Sequence, residues 1–445
     1  MVVEGWLARA AAAAPERTAL DTPAGSWSYA ELYRAARAGA AELHARGAGP
    51  AQRVAIVLPP GLAFAQALHA CMLLGAVAVP VDLRLSEAER EPILAGASLR
   101  VQEPLGEQAD PDMAPRHAGH DLACAAVVIH TSGTAAAPRP IELTYGNLLW
   151  SAIGSAVALG LDPDERWLCA LPLSHVGGLS ILVRSAIYAT SAVVHERFET
   201  DRALHALQQQ EATLVSVVAT TLSRLLDAGL RRPPALRCAL TGGGPVAPAL
   251  LARAHEAGVP VSLTYGLTEA CSQVTSTPAA EILAGPAAPG PPLFCTRVRI
   301  DGEDDVGEIL VAGPTVSPSA QLRGGWLHTG DLGRLDERGR LRVVGRRADT
   351  IVSGGENVAP AEVEAVLEAH PDVLEAAVVG RPSEEWGEAV TAWVVARPGA
   401  EIDFLELEEH CRRELAPYKV PKEFMGSEKP LPRTPSGKLL RRQLR

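Results

Sequence analysis

Between residues 121 and 270 the sequence keeps one rhythm, and few folds accommodate it. Thr213–Val218 is β-branched and apolar, Leu222–Ala228 has helical period, Leu236–Leu240 reads as a strand, Ala247–Ala257 as a helix and Val261–Thr264 as a strand. The first third of the chain keeps the same alternation. Tyr29–Arg46 is helical and stops at Gly47, Arg53–Leu58 is strand-like, a second helix pattern ends at Leu74 before Gly75, and Val77–Val81 is another strand. Strands that alternate with helices predict an α/β layer built on parallel strands. In such sheets ligands bind at the carboxyl ends of the strands, so the loops found there come first.

Thr131-Ser132-Gly133-Thr134-Ala135-Ala136-Ala137-Pro138-Arg139-Pro140 follows the apolar run Ala125–Ile129 and precedes a helix start at Thr144–Asn147. Small and hydroxyl residues at a strand end can wrap an anion with their amides and hydroxyls, although a lone Ser-Gly-Thr also makes an ordinary surface turn. Thr241–Gly244 and Tyr265-Gly266-Leu267-Thr268-Glu269 fall at later strand ends. The second offers a ring, a hydroxyl and a carboxylate suited to Mg²⁺ shared with phosphate, or else a strand exit into a capped helix. Asp331, in Trp326-Leu327-His328-Thr329-Gly330-Asp331, reads either as a diol acceptor in a tight turn or as an Asx turn between strands. Gly345-Arg346-Arg347-Ala348-Asp349 and Ser353–Asn357 suit a phosphate or ribose clamp, or a solvated linker. Lys438, after Ser436-Gly437, can place a point charge on a developing anion, or is one cation of a basic tail.

A chain of 445 residues exceeds one core, so more than one domain is expected. The boundaries fall at 1–345 for the N-terminal part, with a Pro- and Gly-rich, β-rich subdomain at 280–345, and at 346–445 for a compact α+β unit. Net charge −11 argues against a nucleic-acid partner, which wants a basic face. The seven scattered cysteines lack any C-x-x-C pair and read as reduced thiols of a cytoplasmic protein. Ala70–Val81 is too short to span a membrane, and Ala10–Ala14 makes no signal peptide.

Each of these motifs is weak alone; their order along the chain is not. From Trp27-Ser28-Tyr29 to Lys438 the sequence resembles the adenylate-forming superfamily of acyl- and aryl-CoA synthetases, adenylation domains and luciferases. That resemblance implies a large N-terminal domain of α/β layers plus a β-rich subdomain, with a small mobile α+β C-terminal domain. It implies an acid activated by ATP to an acyl-adenylate and passed to CoA, with Mg²⁺ as cofactor. By the same resemblance Thr131, Ser132, Gly133, Thr134 and Arg139 bind phosphate, Thr268 touches the α-phosphate and Glu269 holds Mg²⁺. Tyr265 and Gly242, Gly243 and Gly244 line adenine, Asp331 and Arg346 hold the ribose, and Lys438 stabilises developing charge. Arg347, Ala348 and Asp349 form the hinge. Thr144–Ala156, Leu171–Leu182, Gly242–Pro248, Tyr265–Ser276 and Val352–Leu367 look closest to a branch serving menaquinone biosynthesis, whose acid carries an aromatic ring and two carboxylates. Arg184 is then the partner of the spare carboxylate, with an ion pair at a surface or domain interface as its alternative; His175, counted with Lys438 and Thr268 among the catalytic residues, is a gate beside the acyl site or else a satisfied core histidine, and Gly266 borders the acid. Another aromatic or fatty acid, transfer to a carrier protein, or a non-catalytic binding protein are the rival expectations, and a homo-oligomer is left open. The phosphate loop departs from the family, with Ala135-Ala136 and Arg139-Pro140 where Thr-Gly and Lys-Gly are usual. ATP use with weaker pyrophosphate contacts is expected.

Overall fold

The computed structural model describes residues 1–106, 119–131, 139–282, 288, 290–302, 305–320, 322–353, 356–383, 386–434 and 439–445. The chain forms two compact units, and neither is one continuous segment. The first comprises Met1–Gly242, Ala254–Arg297 and Val311–Leu327; the second comprises Gly243–Arg253, Val298–Leu310 and His328–Arg445.

The first unit is built on two large sheets, together with the short antiparallel pair Val2–Val3 and His120–Asp121. In the larger, Val261–Leu267, Cys238–Thr241, Leu214–Val217, Arg166–Cys169, Ser191–Val194 and Thr18–Thr22 lie side by side in that order. All of these neighbours are parallel, and antiparallel strands Ser272–Ser276 and Gly25–Ser28 close the two edges. Leu214–Val217, Arg166–Cys169 and Ser191–Val194 are apolar on both faces because helices cover both. The smaller sheet runs Leu99–Val101, Arg53–Ile56, Val77–Pro80, Ala125–Thr131, parallel throughout, and ends in antiparallel Arg139–Thr144. Local chemistry fixes the helix ends. Ser28 and Glu31 form a capping box at the start of Tyr29–Ala45, Thr144 and Asn147 form one at the start of Tyr145–Leu159, and Gly75 closes Leu62–Leu74 at φ +65°. Among the described residues no helix is long and apolar enough to cross a membrane.

In the second unit Asp331–Leu335 pair antiparallel with Leu341–Arg346. Farther along, Val373–Ser383 and Gly387–Ala396 form a long hairpin, joined by Ile351–Ser353, Glu356–Val358 and Glu423–Gly426. Pro360–Glu368, with proline in its first turn as its sequence suggests, and Phe404–Glu414 pack Val363, Leu367, Leu407 and Cys411 into a core with Val378 and Val390.

Three stretches differ from their sequence reading. Tyr265–Leu267 continue the strand Val261–Leu267, and Thr268–Ala270 form a short 3₁₀ turn. The antiparallel partner Ser272–Ser276 keeps the backbone extended there. Asp331 lies inside Trp326–Leu335, opposite Arg346, and not in a tight turn. Arg139 and Pro140 open a strand paired with Ala125–Thr131, so the Thr131–Pro140 segment leads from strand to strand. All seven cysteines are free; five are buried, Cys295 is half-buried and Cys124 is exposed.

Candidate active site

In the first unit the expected phosphate segment begins at Thr131, whose hydroxyl donates to the Arg139 carbonyl at 3.3 Å across the strand pair. Ser132, Gly133 and Thr134 lie outside the described residues, as do Ala135 and Ala136. Pro140 sits opposite His130 on the edge strand, where its missing N–H is tolerated.

Gly266 has a steric reason to be glycine. A Cβ there would lie 1.9 Å from the Ser272 carbonyl oxygen, at the point where the strand pair shifts register beside Tyr265. Gly242 is similarly crowded, since a Cβ would fall 2.7 Å from the Thr264 oxygen. Immediately after, half-buried Thr268 and Glu269 open the 3₁₀ turn, and the Glu269 carbonyl accepts Ser317 N–H at 2.7 Å. The turn ends in two consecutive non-glycine residues in left-handed conformation, Cys271 at φ +54° and Ser272 at +91°. Such strain is retained where a surrounding site fixes it. Among the described residues no cluster of three His, Cys, Asp or Glu could hold a metal. Glu269 alone fits Mg²⁺, an ion that commonly takes one or two carboxylates with phosphate oxygens and water.

The helix Val176–Tyr188 carries Arg184, and His175 sits at its N-cap. Arg184 is only 1 % exposed, which rules out a surface ion pair. Its Nη2 donates to the Ser151 hydroxyl at 3.0 Å, and its guanidinium lies 5.5 Å from the Trp167 ring centre. Ser151 in turn donates to the Cys271 carbonyl at 2.6 Å. Nε of Arg184 has no partner, and no carboxylate pairs with this arginine among the described residues. Burial pushes its pKa down from the usual arginine value. His175 caps the helix by position only, since its side chain makes no capping hydrogen bond. Its Nε2 meets Arg84 Nη2 at 3.2 Å and lies 3.6 Å from Asp82 Oδ2.

In the second unit Arg346 Nε pairs with Asp331 Oδ1 at 2.9 Å, bringing together the two residues assigned to ribose. Gly243 takes φ +83°. Glu308, absent from the sequence reading, is a hub: it accepts His328 Nδ1 at 3.0 Å and Gly330 N–H at 3.0 Å, and meets Arg347 at 3.5 Å. The strand pattern of Gly307–Val311 contains Glu308, but nothing in its spacing links it to residues 328–347. Asp82, Arg84 and Ser151 were missed for the same reason. The expected hinge Arg347-Ala348-Asp349 is a 3₁₀ turn, with Asp349 3.5 Å from Arg441. Lys438 lies outside the described residues.

The sequence pattern of the AMP-binding enzymes matches residues 7–102 and 96–319, and that of the AMP-binding enzyme C-terminal domain matches 362–438. The chain belongs to the AMP-binding enzyme family. It is 38 % identical to the 2-succinylbenzoate–CoA ligase of Bacillus subtilis (strain 168), over 474 residues covering 99 % of this chain and 97 % of the relative. The enzyme of that name from Geobacillus kaustophilus is 39 % identical over 475 residues, again 99 % and 97 % of the two chains. Among solved structures, o-succinylbenzoate CoA synthetase from Bacillus subtilis with its acyl-adenylate intermediate superposes with TM-score 0.91 at 36 % identity, covering 100 % of this chain and 98 % of that one. The same enzyme with ATP and magnesium ion gives 0.90 at 36 % identity, with both chains fully covered.

Proposed function

We propose that this chain is an ATP-dependent acid–CoA ligase that activates o-succinylbenzoate through an acyl-adenylate. End-to-end similarity to ligases of that name supports the reaction class. The observation that carries the substrate is Arg184, a buried guanidinium without an acidic partner among the described residues, in a segment otherwise uncharged. Only one carboxylate of the substrate is activated, and the other remains an anion that needs a cation in a dry site.

The acid's activated carboxylate attacks the α-phosphorus of ATP, and the bond to pyrophosphate breaks. The CoA thiol then attacks the acyl carbon, and AMP leaves with the electron pair of the broken C–O bond. Each chain residue has a positioning or charge-stabilising part in these displacements. Thr131, Ser132, Gly133, Thr134 and Arg139 hold the leaving phosphates, and Thr268 holds the α-phosphate. Bound Mg²⁺ supplies positive charge to phosphate oxygens, with Glu269 as its protein ligand. Tyr265 and Gly242–Gly244 line adenine, the Asp331–Arg346 pair faces the ribose, and Lys438 approaches the developing charge. His175 and Gly266 border the acid. Residues 346–445 act as the mobile domain, turning on Arg347-Ala348-Asp349. Reduced thiols fit a cytoplasmic setting.

A panel of aromatic and fatty acids, followed by pyrophosphate release and CoA thioester formation, tests the reading. o-Succinylbenzoate should give both signals. A different acid giving both while o-succinylbenzoate gives neither overturns the substrate.

A further inference from the structure

His175 is held by a pair of residues that neither the motif order nor the phosphate chemistry involves. Asp82 and Arg84 follow the strand Val77–Pro80 and form a fork: Arg84 Nε donates to Asp82 Oδ1 at 2.8 Å and Nη2 to Oδ2 at 2.6 Å. The Arg84 backbone N–H adds a third bond to Oδ1 at 3.0 Å. The same Nη2 reaches His175 Nε2 at 3.2 Å. A guanidinium only donates, so Nε2 must accept and the ring proton must reside on Nδ1. Asp82 at 3.6 Å would favour a protonated ring, but its oxygens are already engaged by Arg84, and Arg84 lies nearer to Nε2. The histidine backbone is fixed independently, with its N–H on Pro172 and its carbonyl accepting Gly178 and Leu179. Its side chain has no helix-capping duty. Only the ring's rotamer and tautomer are left to be set, and the fork sets both.

We infer that Asp82 and Arg84 are positioning residues that lock His175 as the neutral Nδ1–H tautomer, with its ring turned onto the fork, and so fix one wall of the acid site. The inference rests on the reading of His175 as bordering that site. Asp82→Asn removes the charge that braces Arg84 and should raise KM for o-succinylbenzoate about tenfold, the scale of one lost charge-assisted hydrogen bond, with kcat and the KM for ATP little changed. In a His175→Ala background the same substitution should add nothing, because the fork acts only through the ring. Histidine ring ¹⁵N spectra, with the His175→Ala difference as assignment, should show the Nδ1–H tautomer in the native protein and its loss in Arg84→Met, which removes the donor facing Nε2.

Additive effects of Asp82→Asn and His175→Ala, or an unchanged tautomer in Arg84→Met, overturn the inference while leaving the function intact. A His175→Ala variant that binds and turns over the acid like the native protein overturns the role of His175 itself. Melting temperatures recorded on every variant separate loss of positioning from loss of folding.

Discussion

Arg237 and Arg184 both draw a guanidinium into the first unit, Arg237 with 30 % of its side chain exposed and Arg184 almost wholly enclosed, and they keep opposite company. Arg237 forks onto Glu165, whose carboxylate is 2 % exposed and also accepts the Thr213 hydroxyl at 2.8 Å. Arg184 is 1 % exposed and has a serine hydroxyl and a tryptophan ring. Arginine cannot escape the cost of burial by losing its proton, and that cost is several kcal/mol (roughly) for an uncompensated ion. Glu165 offsets it for Arg237, whereas for Arg184 no carboxylate among the described residues does so, and Ser151 and Trp167 offset only part. A fold that needed only structure would place a leucine or methionine at residue 184. The second unit repeats the contrast with the signs exchanged. Arg441 Nη2 lies 2.7 Å from each oxygen of Glu364, whereas Glu368, one turn later, accepts only the Ala376 N–H, at 3.5 Å, among the described residues. Burial accordingly pushes Glu368 up to about 7.

The largest effect on folding is expected where a pair is broken. Glu165→Ala removes the carboxylate from Arg237, which keeps the Leu159 and Gly160 carbonyls and some water, and should lower unfolding free energy by about 1–3 kcal/mol in urea titration. The folded fraction should still turn over normally. A loss below about 1 kcal/mol would place Arg237 among the surface pairs and remove the contrast.

Arg184→Met keeps most of the volume and deletes the charge. The KM for the acid should rise about a hundredfold, roughly 2.7 kcal/mol, with unfolding free energy unchanged or higher. Lower stability with an unaltered KM would make Arg184 structural. Acids lacking the second carboxylate should lose little on the same substitution, and measuring them beside o-succinylbenzoate sharpens the assignment.

Glu368 tests the acidic half of the contrast. Its folded pKa stands above the ordinary 4.5, so the folded state holds a proton that the unfolded chain releases. The stability it contributes is complete below pH 4.5 and is lost as pH rises through about 7. Glu368→Gln keeps an acceptor for Ala376 N–H without the ionisation. The variant should match the native protein at low pH and exceed it above neutrality by about 2 kcal/mol in denaturant midpoints taken across pH. Parallel curves for the two proteins would show that Glu368 ionises freely in the fold.

Sequence periodicity made the parallel strands and most helices legible, because an apolar run or a capping box is a local signal. Gly75 and the Ser28–Glu31 pair mark helix ends within a few residues of themselves. The antiparallel edges were not legible. Tyr265–Leu267 and Arg139–Thr144 become strands only because Ser272–Ser276 and Ala125–Thr131 supply partners. The site divides in the same way. Thr268 and Glu269 adjoin in sequence, and the Asp331–Arg346 contact links two motifs already singled out. Arg84, by contrast, is 91 residues from His175, and Glu308 is 20 from His328, with no spacing rule to join them. Burial was legible only in part: the uncharged, mostly apolar run around Arg184 marked a pocket wall, but not that its guanidinium would be enclosed without a carboxylate.

Arg139 stands at the far end of the comparison and carries the smallest expected effect. It is exposed beside Thr131, where water and salt screen its charge, so it contributes less to an anion than an enclosed arginine does. The usual glycine after it is Pro140, which has no amide hydrogen to offer phosphate. Restoring the family pattern with Ala135→Thr, Ala136→Gly, Arg139→Lys and Pro140→Gly together returns one hydroxyl and one backbone donor. About 1 kcal/mol of ATP binding should follow, a KM lowered roughly fivefold in pyrophosphate-release assays. Two added glycines oppose this by about 0.5–1 kcal/mol each in folding stability, since Pro140 lies in an edge strand that glycine loosens. The variant should therefore bind ATP better while melting lower. If its ATP affinity and turnover merely equal those of the native chain, the altered residues are not phosphate ligands, and the unaltered Thr131–Thr134 portion carries the contact alone.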